Sequence, residues 1–228
     1  MKIVPPSHEI LFMPEGPAML ANLERAGRTC YKSEERISEQ SAREFVRRLI
    51  ASGHHSVIEH ASISVRFVCD RGVTHELVRH RLAAFSQEST RYANYGQEKF
   101  GGQITVIRPL FWLPGSPAHG LWLAAMAQAE AAYLELLRQG SRPQEARSVL
   151  PNSLKTEIVM TANLREWRHV INLRGSRASH PQMREIILPL LDHLRQAVPV
   201  VFDDLYDKYQ DDCREMAAQM ALADGAAT

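Results

Sequence analysis

The segment from Arg79 to Arg91 gathers most of the side chains that could do chemistry. It reads Arg-His-Arg, then Leu-Ala-Ala-Phe, then Ser-Gln-Glu-Ser-Thr-Arg. An arginine guanidinium is a permanently charged planar fork that can hold a phosphate through paired hydrogen bonds. Because apolar residues interrupt the charges, we expect part of the segment to be buried, and half-buried guanidiniums need an anion to offset their desolvation. The segment therefore predicts a phosphorylated ligand.

Three interpretations of this segment compete: a surface patch of salt bridges, a groove for nucleic acid and a pocket for a nucleotide. Arg79 and Arg81 could simply complement the dipole at a helix C-terminus, although this explains one arginine more easily than three. Tyr92 and Tyr95 could stack bases in an RNA- or nucleotide-binding module, whose affinity would fall steeply with salt. The formal net charge of +1 argues against nucleic acid and against an anionic membrane as partners.

The motifs around this segment resemble those of a known enzyme family. Arg79-His80-Arg81, seven residues and then Ser89 resemble the Arg-His-Arg-x7-Ser signature of the flavin-dependent thymidylate synthases. Residues 54–60, His-His-Ser-Val-Ile-Glu-His, resemble the family's His-x-Thr/Ser-x-x-Glu-His, and residues 89–92 resemble its Ser-x-Arg-Tyr. Segments 146–151, 163–165 and 172–174 follow in the family's order, so the resemblance covers roughly residues 20 to 200.

The resemblance implies a reaction and its cofactors. In this family, dUMP is methylated at carbon 5 with the methylene group of 5,10-methylenetetrahydrofolate, while NADPH reduces a bound FAD that supplies the hydride. The members are homotetramers whose sites are assembled from several subunits. Since the chain has no Gly-x-Gly-x-x-Gly after a predicted strand, arginine side chains and helix ends would have to hold the dinucleotide.

The family pattern assigns roles residue by residue. The FAD contacts would be Ser56, Arg79, His80, Arg81, Gln87, Asn163, Arg165 and His169. The dUMP contacts would be Glu76, Leu77, Val78, Arg79, Gln87, Glu88, Ser89, Thr90, Arg91, Arg147 and Arg174, with Ser89 and Arg91 on the phosphate. Three positions depart from the commoner pattern, namely Ser56 for threonine, Gln87 for glutamate and His169 for asparagine, which puts individual hydrogen bonds in doubt more than the reaction.

Arg174 is the residue that we expect to be catalytic. Directly before Gly175, it lies at the predicted C-terminus of a helix, where its side chain can project beyond the last turn. A guanidinium beside the pyrimidine edge would favour ionisation at nitrogen 3 and stabilise the charge that develops there. Because arginine keeps its proton, its role would be electrostatic.

The sequence gives little support for a cysteine or serine nucleophile or for a metal site. The chain has three cysteines, Cys30, Cys69 and Cys213, which lie far apart and form no Cys-x-x-Cys pair. The nucleophilic cysteine of the flavin-independent thymidylate synthases follows a proline, and none of these three does. Ser89 has no base at a known triad spacing and is predicted to be a phosphate ligand. The histidines of residues 54–60 match no zinc pattern, so we expect no metal.

Length and composition are ordinary for a soluble globular protein, and no linker divides the chain, so we expect one domain over residues 1–228. The resemblance implies an α+β fold with an antiparallel-rich sheet and long flanking helices. Strands are predicted at 10–13, 61–69, 104–107 and 158–162, and helices at 17–31, 38–52, 73–80, 121–136, 142–147, 164–174, 183–194 and 200–209. Ser38 is predicted to cap the second helix, and the tail to fray after about residue 213. Without an apolar leader or an eighteen-residue apolar run, we expect a cytoplasmic protein.

Overall fold

The computed structural model describes the backbone of residues 1–225 and the side chains of residues 1–223. Its strands are β1 (Lys2–Val4), β2 (Ser7–Phe12), β3 (Ser62–Asp70), β4 (Ala84–Gln87), β5 (Thr105–Ile107) and β6 (Lys155–Asn163). Its helices are α1 (Gly16–Thr29), α2 (Ser41–Ala51), α3 (Arg71–Leu77), α4 (Pro117–Arg138), α5 (Pro143–Ala146), α6 (Leu164–Arg174), α7 (Pro181–Ala197) and α8 (Asp203–Gly225). The predicted α+β class is confirmed.

Four strands form an antiparallel sheet in the order β2-β3-β6-β4, and β1 and β5 form a small parallel pair. Along β3 the buried residues are Ile63, Val65, Phe67 and Cys69, which confirms the predicted alternation. Such alternation is what a strand with one face on the core requires. None of the described helices is long and apolar enough to span a bilayer.

The strand β6 leads directly into the helix α6, and this junction positions much of the site. Ile158, Met160 and Ala162 are buried on β6, as the predicted strand requires. The side chain of Asn163 accepts a hydrogen bond from the backbone N–H of Glu166 at 2.9 Å and so caps α6. The helix begins at Leu164 and ends at Arg174, as predicted.

Three local predictions were wrong. No strand was predicted for residues 84–87, yet they form strand β4 at the edge of the sheet. Helix α2 begins at Ser41, three residues later than predicted. The hydroxyl of Ser41 accepts a hydrogen bond from the N–H of Ser38 and donates one to the carbonyl of Ser38, and the side chain of Ser38 does not cap the helix. Helix α8 continues to Gly225, because Cys213 and Met216 are buried against the core and hold the segment where we had expected fraying.

Two apolar clusters support these elements. The larger cluster lies between the four-stranded sheet and helices α1, α6, α7 and α8, and Trp167 of α6 donates a hydrogen bond from Nε1 to the carbonyl of Ile63 at 3.0 Å. The smaller cluster joins α4 to β5 through Trp122, Tyr133 and Val106. Since α6 is fixed to β3 from inside, its outer face and its two ends are held in place for a site.

Candidate active site

Arg174 is held at the end of α6 by groups from the end of α3. Its Nε donates to Nε2 of His80 at 3.0 Å, its Nη1 donates to Oε2 of Glu76 at 2.6 Å and its Nη2 donates to the carbonyl of Glu76 at 3.2 Å. All three nitrogens of the guanidinium therefore have protein acceptors. This fixes the plane of the guanidinium, as the predicted role at a substrate edge would require.

His80 is buried beneath Arg174, with 5% of its surface exposed. Its Nδ1 lies 3.4 Å from Oε1 of the buried Glu166, and its ring meets the ring of His169 edge-on with centroids 5.7 Å apart. Burial, together with the positive charge of Arg174 and with His169, lowers the pKa of His80 to about 4. At neutral pH this imidazole is therefore uncharged, and it can accept a hydrogen bond from Arg174.

His80, Glu166 and His169 form a group that could hold a metal ion, because one ligand atom from each lies within 4.8 Å of the others. Two histidines and a carboxylate are a known ligand set for zinc or iron. The guanidinium of Arg174 already occupies Nε2 of His80 and would repel a cation beside it. The absence of a metal therefore stays a prediction.

Gln87 joins the edge strand to α3. Its Nε2 donates to the hydroxyl of Thr74 at 2.9 Å and lies 3.4 Å from the hydroxyl of Thr156. Thr74 precedes Glu76 on α3, so the end of β4 is tied to the helix whose end holds Arg174. The amide oxygen of Gln87 remains available for a ligand.

A cavity of about 480 Å³ opens beside the end of β4. Its walls include Glu88, Ser89, Tyr95, Lys155 and Glu157. Tyr95 donates to Glu88 at 2.8 Å, and Lys155 donates to Glu88 at 3.3 Å and to Glu157 at 2.6 Å. Burial and the carboxylate of Glu88 raise the pKa of Tyr95, so its hydroxyl keeps its proton and remains a donor.

A second cavity, of about 450 Å³, lies along the outer face of α6. It is lined by His55, Arg165, Arg168, His169, Asn172, Asp204, Leu205 and Lys208. Arg165, His169 and Asn172 therefore share one polar face of α6. Arg165 pairs with Glu59 at 2.6 Å, and Arg168 forms a two-point pair with Asp204 at 2.6 Å. His169 connects this cavity to His80 and thus to Arg174.

The arginine segment itself is less enclosed than its sequence indicated. Arg79, Arg81 and Arg91 are exposed in the single chain, and Leu82 is 78% exposed, so the expectation of half-buried guanidiniums was wrong for the isolated subunit. Of the segment, only His80 and Thr90 are buried, because the chain turns outward after α3 and returns as an edge strand. A shared wall around these arginines would have to come from another molecule.

The remaining expected contacts are scattered around these groups. Arg147 donates from Nη1 to the hydroxyl of the buried Thr90 at 3.3 Å, and Ser89 accepts from the backbone of Arg91 at 3.3 Å. Val78 is exposed at the end of α3, whereas Leu77 is fully buried in the larger cluster. The core position of Leu77 leaves only its backbone for a ligand.

Ser56 is exposed just before the short 3-10 helix Val57–His60. The side-chain oxygen of Asn163 already accepts the hydrogen bond that caps α6. Single-chain geometry thus groups Glu76, His80, His169 and Arg174, and separately Gln87, Glu88 and Ser89.

Several residues that shape the site were missed in the sequence. Glu166 follows the cap Asn163 by three positions, a spacing that signals a helix start and not a contact with His80. Thr156 faces the core from β6 beside Gln87, while Lys155 and Glu157 alternate with it on the other face. The period of two along β6 could have placed these residues, but their partners on β4 come from a strand that sequence patterns did not indicate.

Comparison with known proteins assigns the class of protein. The family model described as "Thymidylate synthase complementing protein" matches residues 15–200, and the chain belongs to this family. The resemblance in the sequence motifs is thereby confirmed.

Relatives of the chain are named flavin-dependent thymidylate synthase. One from Mycobacterium sp. (strain JLS) is 36% identical over 212 residues, covering 83% of this chain and 80% of the relative. One from Corynebacterium efficiens is 32% identical over 223 residues, covering 90% and 86%. One from Mycobacterium tuberculosis (strain ATCC 25177 / H37Ra) is 34% identical over 204 residues, covering 83% and 79%.

Proposed function

We propose that the protein is a flavin-dependent thymidylate synthase that converts dUMP to dTMP, with 5,10-methylenetetrahydrofolate as carbon donor and NADPH as the reductant of FAD. The observation that carries the proposal is the guanidinium of Arg174, fixed by Glu76 and by a neutral His80 in a chain of this family. The family relationship supports the reaction, and the geometry supports the role of Arg174 in it.

The residues around α6 fit an anionic dinucleotide such as FAD. The cavity on this helix presents Arg165, Arg168, His169 and Lys208, whose donors match phosphate and ribose oxygens. The pair between Arg165 and Glu59 is solvent-exposed, so Arg165 can exchange its partner for a phosphate at little cost. Ser56, Arg79, His80, Arg81, Gln87, Asn163, Arg165 and His169 would hold the cofactor. When bound, FAD would supply the hydride that reduces the transferred carbon.

For dUMP, we assign the phosphate to Ser89 and Arg91, with Thr90 and Arg147 behind them. The base would lie toward Arg174. The other dUMP contacts would be Glu76, Leu77, Val78, Arg79, Gln87 and Glu88. A guanidinium has five N–H groups, and the protein engages three on Arg174. The two that remain can donate to the pyrimidine edge, where they would favour ionisation at nitrogen 3 and make carbon 5 a better nucleophile.

The cysteines support a route without a protein nucleophile. Cys69 and Cys213 are buried, and burial raises the pKa of both thiols, that of Cys213 to about 11. Cys30 is exposed near the end of α1. None of the three lines either of the two candidate cavities. Activation of the pyrimidine therefore falls to Arg174 and the groups that hold it.

We also propose a cytoplasmic homotetramer with shared sites. The exposed arginines need a facing wall, and α4 offers an outward stripe of Leu121, Ala125 and Ala132 while Trp122 and Tyr133 pack inward. An exposed apolar stripe on a regular helix is typical of a subunit contact.

The test begins with an absorption spectrum of the purified protein. We expect a flavin band that shifts when dUMP is added, and formation of dTMP when methylenetetrahydrofolate and NADPH are supplied. A protein that takes up no FAD and makes no dTMP would refute the proposal. NADPH oxidation without dTMP would indicate a reductase, and strongly salt-dependent RNA binding without flavin would indicate a binding module.

A further inference from the structure

Glu166 is a buried carboxylate to which the reaction as proposed gives no role. It is 6% exposed and lies in the first turn of α6, three residues after the cap Asn163. We propose that Glu166 is a positioning residue that holds Arg174 in its working orientation by acting through His80. This inference rests on the proposed function, in which Arg174 contacts the pyrimidine.

The argument starts from the two nitrogens of His80. Its Nε2 accepts a hydrogen bond from Nε of Arg174 at 3.0 Å, and its Nδ1 lies 3.4 Å from Oε1 of Glu166. A neutral imidazole carries one N–H and one lone pair. Because Nε2 accepts, the proton must be on Nδ1, and Oε1 of Glu166 lies 3.4 Å from that nitrogen. The opposite tautomer would set the N–H of Nε2 against the N–H of Arg174.

Glu166 therefore stabilises the one tautomer that Arg174 can use. A negative charge facing Nδ1 favours a proton there, and the N-terminal turn of α6 favours that charge. His80 and Glu166 are both buried, so little solvent screens the interaction. This pair resembles the general arrangement in which a carboxylate fixes the tautomer of a histidine that acts on a third group.

The other support of Arg174 is less rigid. The carboxylate of Glu76 accepts from Nη1 and its backbone carbonyl accepts from Nη2. The side chain of Glu76 is about a third exposed, and the residue belongs to the last turn of the short helix α3. His80 instead grips Nε, the guanidinium nitrogen closest to the backbone, from a buried position. Loss of the Nε contact would let the guanidinium plane rotate about Glu76, and small displacements of a catalytic group are costly in rate.

Two substitutions separate positioning from packing. Glu166→Met keeps the volume but removes the acceptor, and Glu166→Gln keeps an oxygen that can accept from Nδ1. We expect Glu166→Met to lower kcat and dUMP affinity by about 10-fold, and Glu166→Gln to remain within about threefold of the wild type, both with normal flavin content. Equal loss in both variants would indicate packing and overturn the inference.

A double-mutant cycle tests whether Glu166 acts through Arg174. The dissociation constant of dUMP is measured by calorimetry in the flavin-loaded wild type, Glu166→Met, Arg174→Ala and the double variant. We expect Glu166→Met to weaken dUMP binding only when Arg174 is present. An undiminished effect in the Arg174→Ala background would show that Glu166 acts by another route.

A measurement on the unaltered protein completes the test. Nitrogen-15 NMR of labelled histidine should find His80 as the Nδ1–H tautomer at pH 7, and the Nε2–H tautomer would overturn the inference. Glu24→Gln serves as a control. Glu24 is also buried, but it lies on α1 and pairs with Arg28 of the same helix, not with a residue that holds Arg174. It should lower stability without changing kcat. If the wild type makes no dTMP, the proposed function itself fails, whereas an active wild type with an equally active Glu166→Met removes only this inference.

Discussion

At the scale of single residues, Arg174 joins the end of α6 to the end of α3 through three of its five N–H groups. We predict that Arg174→Ala keeps FAD but lowers dTMP formation by at least about 100-fold, the usual cost of removing a donor that stabilises developing charge. Steady-state assays with flavin content measured in parallel check this.

Arg177→Ala is the matched control for that variant. Arg177 lies three residues further along, its side chain is 73% exposed, and it pairs with Asp212 and Glu215 away from the residues that hold Arg174, so its loss should change turnover little. Turnover near the wild-type value in Arg174→Ala would refute the assignment of Arg174.

Glu185 of α7 is a buried carboxyl that should make stability depend on pH. It is 2% exposed, and its Oε2 has no hydrogen-bond partner among the described residues. Burial raises its pKa to about 7, with a further increase from the charge of Asp70. Since the folded protein holds a proton that the unfolded chain releases near pH 4.5, this group stabilises the fold at low pH and loses that contribution as the pH rises toward 7.

We therefore predict that Glu185→Gln alters the pH profile of stability. Relative to wild type, the free energy of unfolding of the variant should increase on the order of 3 kcal/mol between pH 4.5 and pH 8, because glutamine cannot ionise. Urea unfolding at both pH values measures this difference. Parallel pH profiles of the two proteins would show that Glu185 does not titrate in this range.

At the scale of elements, α6 matters most, because Arg165, His169 and Arg174 all belong to it. We predict that Asn163→Ala, which removes the cap, lowers the free energy of unfolding by about 1 kcal/mol and also weakens FAD binding. Thermal unfolding and flavin titration measure the two effects.

Ser116→Ala provides the comparison for the cap of α6. Ser116 caps α4 by accepting from the backbone of His119 at 3.3 Å, so its loss should cost similar stability. FAD affinity should stay normal in this variant, because α4 lines neither of the two candidate cavities. Equal loss of FAD affinity in both variants would mean that general destabilisation is the cause.

The sequence predicted those elements best in which local signals and burial agree. On β6 and α6, the alternation of Ile158 and Met160 and the cap at Asn163 placed both elements correctly. The short edge strand β4, Ala-Phe-Ser-Gln, is only partly buried on one face, and Phe85 is its only strong strand former. Its strand conformation therefore depends on pairing with β6, which local sequence does not reveal. For the same reason, the contacts of Gln87 with Thr74 and Thr156 could not be read from spacing.

Burial in the site was equally hard to predict. The proximity of His80 to Glu166 joins positions 86 residues apart, and no local pattern encodes it. Conversely, Leu82 is apolar and yet exposed, because the chain around it extends away from the core of its own subunit.

At the scale of the whole molecule, the outward stripe of α4 predicts assembly. Leu121→Glu should place a charge on the stripe and shift the proposed tetramer toward smaller species, with a loss of FAD affinity if the sites are shared. Analytical ultracentrifugation at several concentrations measures the mass. Leu222→Glu, at an equally exposed leucine of α8, should leave the mass unchanged. A wild type that sediments as a monomer would refute the assembly.

The distribution of thiols has a consequence for inhibition. Cys69 and Cys213 are buried and Cys30 is exposed near the end of α1, so none of the three thiols lines either of the two candidate cavities, and an electrophile bound in those cavities would meet no cysteine in their walls. Selective ligands for this protein would instead have to compete reversibly, by offering paired anionic or carbonyl oxygens to its guanidinium groups.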